Sequence, residues 1–192
     1  VGAGSATDGF VYGGDGDDTI HLNGTTITRD IFGGDGVDTI RLTSGSVRDV
    51  YWGEGDESGV LLLGGVTAVR NLLFGAGEDD FTLAEGAVNG NVHLGNPTNS
   101  TTDADTFTMT GGLIRRSVFG DQGDDTITLD GTTINIDIRA MGGNDTIGLL
   151  GGSVQTVDFG AGDDTIMLDG ARVGIDLVDD GGSDDITIAS GT

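Results

Sequence analysis

The sequence predicts an all-β chain wound into a single parallel β-solenoid, a β-helix or β-roll of about nine coils with about 20 residues per coil. Three observations predict it. Glycine supplies 38 of the 192 residues, and proline occurs once, at Pro97. That is about a fifth of the chain, where ordinary proteins carry roughly 7%. Each glycine inside a helix costs about 1 kcal/mol relative to Ala, which argues against helical bundles. A collagen triplet would need the proline that is missing. Second, apolar residues recur in three columns with a period near twenty. Third, a glycine-aspartate motif recurs just ahead of the first column.

Each coil contains a strand of the form T-Φ-x-Φ, with Φ apolar. The first column reads Ile20, Ile40, Val60, Phe81, Phe107, Ile127, Ile147, Ile166 and Ile186. Two residues on, the second reads Leu22, Leu42, Leu62, Leu83, Met109, Leu129, Leu149, Leu168 and Ile188. Alternation of this kind is the period of a half-buried strand. Residues between the columns, such as Thr19, His21, Thr126 and Thr128, therefore face solvent. A tight turn at x-G ends the strand, and one or two shorter strands follow. A third column, Val11, Ile31, Val50, Leu72, Val92, Val118, Ile138, Val157 and Leu177, leads into the glycine turn. Coils stacked at about 4.8 Å make a rod roughly 40–45 Å long, and parallel crossovers favour right-handed winding. First-column spacings are 20, 20, 21, 26, 20, 20, 19 and 20. The long one contains Pro97 and reads as a surface loop inserted at about 96–104 in one domain spanning 1–192.

Charge narrows the partners. Asp and Glu total 32 against 8 basic residues, a net −24; 28 of the acids are Asp, and every basic residue is Arg. Such an excess of Asp points to turns or to ligation of a hard cation. Nucleic acid and anionic membranes are poor partners for this charge. Cysteine is absent, so no disulfide staples the fold. The longest apolar run, Val60 to Leu63, is far too short to span a bilayer. The opening VGAGSATDGF has no basic start and no apolar run, which reads as a processed or excised segment.

The turns carry the chemistry. Gly13-Gly14-Asp15-Gly16-Asp17-Asp18 and Gly33-Gly34-Asp35-Gly36-Val37-Asp38 are the fullest copies. Shorter ones are Gly123-Asp124-Asp125, Gly143-Asn144-Asp145, Gly162-Asp163-Asp164 and Gly182-Ser183-Asp184. Glycines permit positive φ, so several carbonyls can converge on one point. Calcium takes six to eight oxygens at about 2.3–2.6 Å. Stacked carboxylates about 4.8 Å apart repel unless a cation bridges them or their pKa values rise. Candidate ligands are Asp15, Asp17, Asp18, Asp35, Asp38, Asp124, Asp125, Asp145, Asp163, Asp164 and Asp184. The alternative is a metal-free turn held by Asx hydrogen bonds. Gly53 to Gly59 lacks the final Asp of the motif, and around Asp105 the glycines are gone.

The motif resembles the nonapeptide G-G-x-G-x-D-x-U-x of the repeats-in-toxin (RTX) family, with U apolar. That resemblance implies Ca2+ between stacked turns. Here the turn comes once per coil, so calcium would line one edge. Solenoids of this kind look like parts of bacterial surface adhesins, S-layer proteins and autotransporter passenger segments. The resemblance implies a secreted, extracellular protein that folds in calcium at the bacterial cell surface. Leading among the readings is a non-enzymatic structural module, able to stack head to tail, in which Asp38→Ala and Asp145→Ala weaken the calcium response more than Asp30→Ala, outside the turns. An adhesin passenger fragment binding a host or neighbour ligand is the alternative. An ice-binding solenoid is the third, from the partial threonine column Thr19, Thr39, Thr106, Thr126, Thr146 and Thr165.

The remaining residues read as structural. His21 and His93 are the only histidines, and no Ser-His-Asp spacing or Cys nucleophile suggests an enzyme. Tyr51, Trp52, Phe74, Phe119 and Phe159 read as one aromatic column sealing a corner. Neither end carries an amphipathic helix or a blunted strand, which predicts end-to-end self-association or continuation into further coils.

Overall fold

The computed structural model describes residues 6–62, 66–96 and 102–189. Within them the chain is all-β, without a helix, and the strands stack in parallel on three faces. The first face carries Thr19–Leu22, Thr39–Leu42, Ser58–Leu62, Asp80–Glu85, Thr106–Met109, Thr126–Asp130, Thr146–Leu150, Thr165–Asp169 and Asp185–Ala189. About eight turns of about 20 residues separate the first of these from the last. The second face is built from short strands such as Thr25–Ile27, Ala87–Val88 and Thr133–Ile134. The third leads into the glycine turns and runs from Val11–Asp15 through Ile31–Asp35, Asp49–Glu54, Asn71–Ala76 and Val92–Gly95 to Val118–Phe119 and Asp137–Arg139. In the last coils the second and third faces merge into the long strands Ser153–Ala161 and Arg172–Gly181.

The third apolar column is one unbroken register from Val11 to Leu177, each residue opposite the next coil's. Ile31 to Val157 in that column are fully buried. Ile27, Val88, Ile114, Ile134 and Val154, on the second face, complete the core. A narrow core of stacked aliphatic side chains is what an alternating pattern of period near twenty must bury.

The third rung departs from the sequence reading. Gly59, not Val60, lies opposite Phe81, and Leu61, not Leu62, lies opposite Leu83. Glycine leaves a gap there that aromatic rings fill. Trp52 and Phe74 approach Phe81 at 4.7 and 4.1 Å between centroids, and Phe107 lies 5.9 Å from Phe74. The single aromatic column is likewise two columns. Trp52, Phe74 and Phe159 point inward and are buried. Tyr51 is in register with Phe32, Leu73, His93 and Phe119 on the outer side. The outer rings of Tyr12, Phe32 and Tyr51 stack face to face at 5.1 and 4.7 Å.

Asp30 lies outside the glycine turns, as expected, but its carboxyl is held at another corner. It is buried, and Arg48 grips it with two nitrogens, Nε to Oδ1 at 2.7 Å. Arg70 grips buried Asp49 in the same way. Asn71, Asn91 and Ser117 continue this corner as a ladder, each backbone N–H donating to the side chain one coil earlier.

At the glycine turns, Gly34, Gly53 and Gly75 have φ of 131°, 131° and 124°. A Cβ on Gly53 would collide with the Gly34 carbonyl oxygen of the preceding coil. Left-handed strain alone costs about 1–3 kcal/mol, and the rigid carbonyl cannot step aside. Gly53→Ala is therefore expected to lower stability by about 3 kcal/mol or more, read as a shifted urea midpoint. Gly9→Ala, where an added Cβ meets nothing within 4 Å, should change it little.

Of the inserted loop, residues 97–101 lie outside the described residues. Asn96 and residues 102–105 carry no strand. Thr106–Met109 then returns to register with Asp80–Leu83, so the extra residues leave the stacking of the first face intact.

Candidate metal centre

The aspartates of the turns form two ladders running in opposite directions. In the inner ladder each side chain accepts a hydrogen bond from the backbone N–H one coil earlier. Asp38 takes the N–H of Asp18, Asp79 that of Glu57, Asp105 that of Asp79 and Asp125 that of Asp105. Asp145, Asp164 and Asp184 continue it, all at 2.7–3.0 Å. In the outer ladder the side chain accepts from the following coil. Asp17 takes the N–H of Val37, Asp56 that of Glu78, Asp124 that of Asn144 and Asp163 that of Ser183.

Burial separates the two. Asp38, Asp79, Asp105, Asp125, Asp145 and Asp164 are 1–2% exposed. Asp18 and Asp184 are half-buried, and the outer Asp17, Asp124 and Asp163 are exposed. Asp15 and Asp35 lie opposite one another at the strand ends, and both are exposed. Glu57 takes the inner position in the turn that lacks a final Asp, and it too is buried.

Neither oxygen of Glu57 has a hydrogen-bond partner, whereas one oxygen of each inner aspartate from Asp38 to Asp184 is fixed by the backbone. The second has no hydrogen-bond partner at Asp38, Asp79, Asp105, Asp145 and Asp164. Burial drives these groups toward the neutral form. Asp79 is pushed up to about 9, Asp105 to about 8, and Asp125 and Asp145 to about 7. Burial also raises Asp38, Glu57, Asp121 and Asp164.

Among the described residues one group of three carboxylates converges: Asp105, Asp121 and Asp125, at 2%, 5% and 1% exposure. One oxygen from each lies within 4.8 Å of the others. Oxygens bound to one calcium at about 2.4 Å can be at most about 4.8 Å apart, so the spacing fits. Asp105 brings an unpartnered buried oxygen. Asp125 bridges the other two, accepting the N–H of Asp105 and, at 3.0 Å, that of Asp121. Asp121 in turn accepts the N–H of Gly123 at 2.8 Å. These residues could hold a hard divalent cation, with carbonyls or water completing its six to eight oxygens.

Of the sequence-derived ligands only Asp125 belongs to this group. Asp121 stands where Gly34 stands in the second turn, so Gly120-Asp121-Gln122-Gly123 carries the signal as an acid in place of a glycine. Asp105 follows the insertion, where the missing glycines hid its alignment. Of the histidines, His21 is exposed and lies 3.4 Å from the Thr43 hydroxyl. His93 is half-buried against Phe119, and burial lowers its pKa. No family model, no curated protein and no solved structure matches this chain.

Proposed function

We infer that this chain is a non-enzymatic structural module, an RTX-like β-solenoid stabilised by calcium and working outside the cell on a bacterial surface. The observation that carries the reading is the buried cluster of Asp105, Asp121 and Asp125, with its unpartnered Asp105 oxygen. Three buried carboxylates repel one another unless a proton or a cation neutralises them. Calcium at extracellular concentration would do so, while the scarcity of calcium inside a cell would leave the chain less stable before export. The residues that would hold the ion are those three; calcium would supply charge neutralisation and a joint across the irregular coil.

The partner in this reading is a further coil, from the same polypeptide or a second copy. Ile186 and Ile188 in the last described strand are 43% and 71% exposed, although their counterparts Ile166 and Leu168 are buried. A coil laid over them would bury that apolar surface. Changing both isoleucines to Lys is expected to abolish concentration-dependent association in sedimentation velocity and to spare the calcium response.

Circular dichroism melts test the calcium reading. For a site of about 0.1 mM affinity, 10 mM calcium adds about 2.7 kcal/mol of stability. The melting temperature should rise with calcium, fall with chelator, and respond less to magnesium, which dehydrates reluctantly. A melt indifferent to calcium and to chelator would overturn it.

A further inference from the structure

We propose that two copies of this chain pack with their third faces together and their rods parallel, as a closed dimer. The outer side of that face carries Tyr12, Phe32, Tyr51, Leu73, His93 and Phe119, one per coil in continuous register. Tyr12 is 65% exposed and the others are half-buried. Tyr12, Phe32 and Tyr51 stack ring on ring, and His93 lies flat on Phe119. Rings held by one another lose little freedom on docking. The stripe ends at Phe119, since Arg139 and Asp158 come next in register. A continuous apolar ribbon on the surface marks an interaction site.

The two flanks of the ribbon carry opposite charge. On one side, two residues ahead of the third apolar column, stand Arg29, Arg48, Arg70 and Arg116, all exposed. Half of the 8 basic residues of a chain of net charge −24 therefore line one rim. Arg48 and Arg70 hold buried aspartates. Arg29 and Arg116 are in no ion pair among the described residues. On the other side Asp15, Asp35 and Glu54 form a column of exposed acids on successive coils.

This pattern is self-complementary, which selects a second copy as the occupant. A twofold axis along the ribbon lays each ring on its own copy and each rim on the opposite one. Arg29 then faces the partner's Asp35, Arg48 faces the partner's Glu54, and both contacts occur twice. An antiparallel pair would set Arg against Arg and acid against acid, which like-charge repulsion disfavours. An apolar centre with a polar rim is the usual anatomy of a protein interface. Coils at about 4.8 Å and strand residues at about 3.3 Å give a patch ~25 Å long and ~20 Å wide. That is about 1,000 Å² over both copies, the lower limit of specific interfaces. At 0.15 M salt the Debye length is ~8 Å, so acids on the far sides of the rods oppose the contact little. The contact involves neither the calcium cluster nor the open end of the last coil.

Sedimentation equilibrium at about 0.15 M salt tests this in a protein whose end contact is blocked by Ile186→Lys and Ile188→Lys. It should associate reversibly and stop at the dimer, with a dissociation constant of about 0.1 mM, weak as so small an area implies. Arg29→Glu and Asp35→Arg should each weaken the dimer about fivefold or more, because each sets two like-charge pairs across the twofold. Combined in one chain they should restore it, since the two charges lie on opposite rims and meet only between copies. The chain has no cysteine, so single ones report orientation. With a dimaleimide spanning about 10 Å, the spacing of packed sheets, Tyr12→Cys should cross-link, and Asn135→Cys, beyond the second face, should not. All the changed residues are exposed, and the calcium response of the melt should be the same in every variant. A monomer at every concentration, rim variants without effect, no restoration in the combined variant, or cross-linking through Asn135 alone would overturn the proposal. None of these results bears on the calcium cluster, and growth beyond the dimer when both isoleucines are present belongs to the end contact.

Discussion

Asp125→Ala is expected to be among the most damaging substitutions in the chain and to abolish the calcium response. One carboxylate oxygen accepts the N–H of Asp105 at 2.9 Å and the other that of Asp121 at 3.0 Å. All three residues are buried. Truncation leaves two buried donors without partners, each at a cost of about 1–3 kcal/mol, and removes a cluster carboxylate. The loss should reach about 3 kcal/mol, read as a lowered urea midpoint at fixed slope. Asp125→Asn separates the two roles. Its side-chain oxygen can still accept from Asp105, so it should fold, yet without the carboxylate charge its melt should respond much less to calcium.

In chelator, stability should fall as pH rises from about 5 to 9. Burial pushes Asp105 up to about 8 and Asp125 and Asp145 up to about 7 in the folded chain, and raises Asp79 beside Glu57 as well, against about 3.9 when unfolded. A carboxyl with a raised folded pKa favours the fold fully below the unfolded value, and that contribution is lost as pH rises through the folded one. Each such group makes the folded state lose stability as pH rises between the two values. If calcium takes the place of the proton on Asp105, Asp121 and Asp125, as proposed, its stabilisation should be small at pH 5 and large at pH 8. Melts across this range with and without chelator measure both slopes. Metal-free stability that rises toward pH 8 would contradict the burial of these groups.

The apolar columns were legible because burial on a strand alternates. The third column holds residue for residue from Val11 to Leu177, because every copy sits at a constant distance ahead of its turn. The first two failed only in the third coil. There Glu57 took the ladder position one residue early, and the pattern offered Val60 where the fold uses Gly59. Adjacent strand residues face opposite sides, which is why Tyr51 and Trp52 part company.

The turns were harder to read. A turn has no period of two, so nothing in Asp17-Asp18 or Asp163-Asp164 says which carboxyl is buried. Stacking decides it: the later Asp of each pair reaches back, or is reached, along the inner ladder, and the earlier one reaches forward outside. The converging cluster arises where the repeat is least regular. Six extra residues precede Asp105, and Asp121 replaces a glycine, so neither residue stands in a good copy of the motif. The corner of Arg48, Asp30, Arg70 and Asp49 was hidden for a similar reason, since its partners are one coil apart and come together only in the wound chain.

The central claim is that calcium sits on Asp105, Asp121 and Asp125, and calorimetric calcium titration of three proteins tests it most directly. The parent chain should show a saturable site. Asp121→Asn should lose that site, whereas Asp35→Asn, at an exposed turn tip, should keep it with unchanged affinity. No calcium binding in the parent chain, or a site that survives Asp121→Asn intact, would contradict the account.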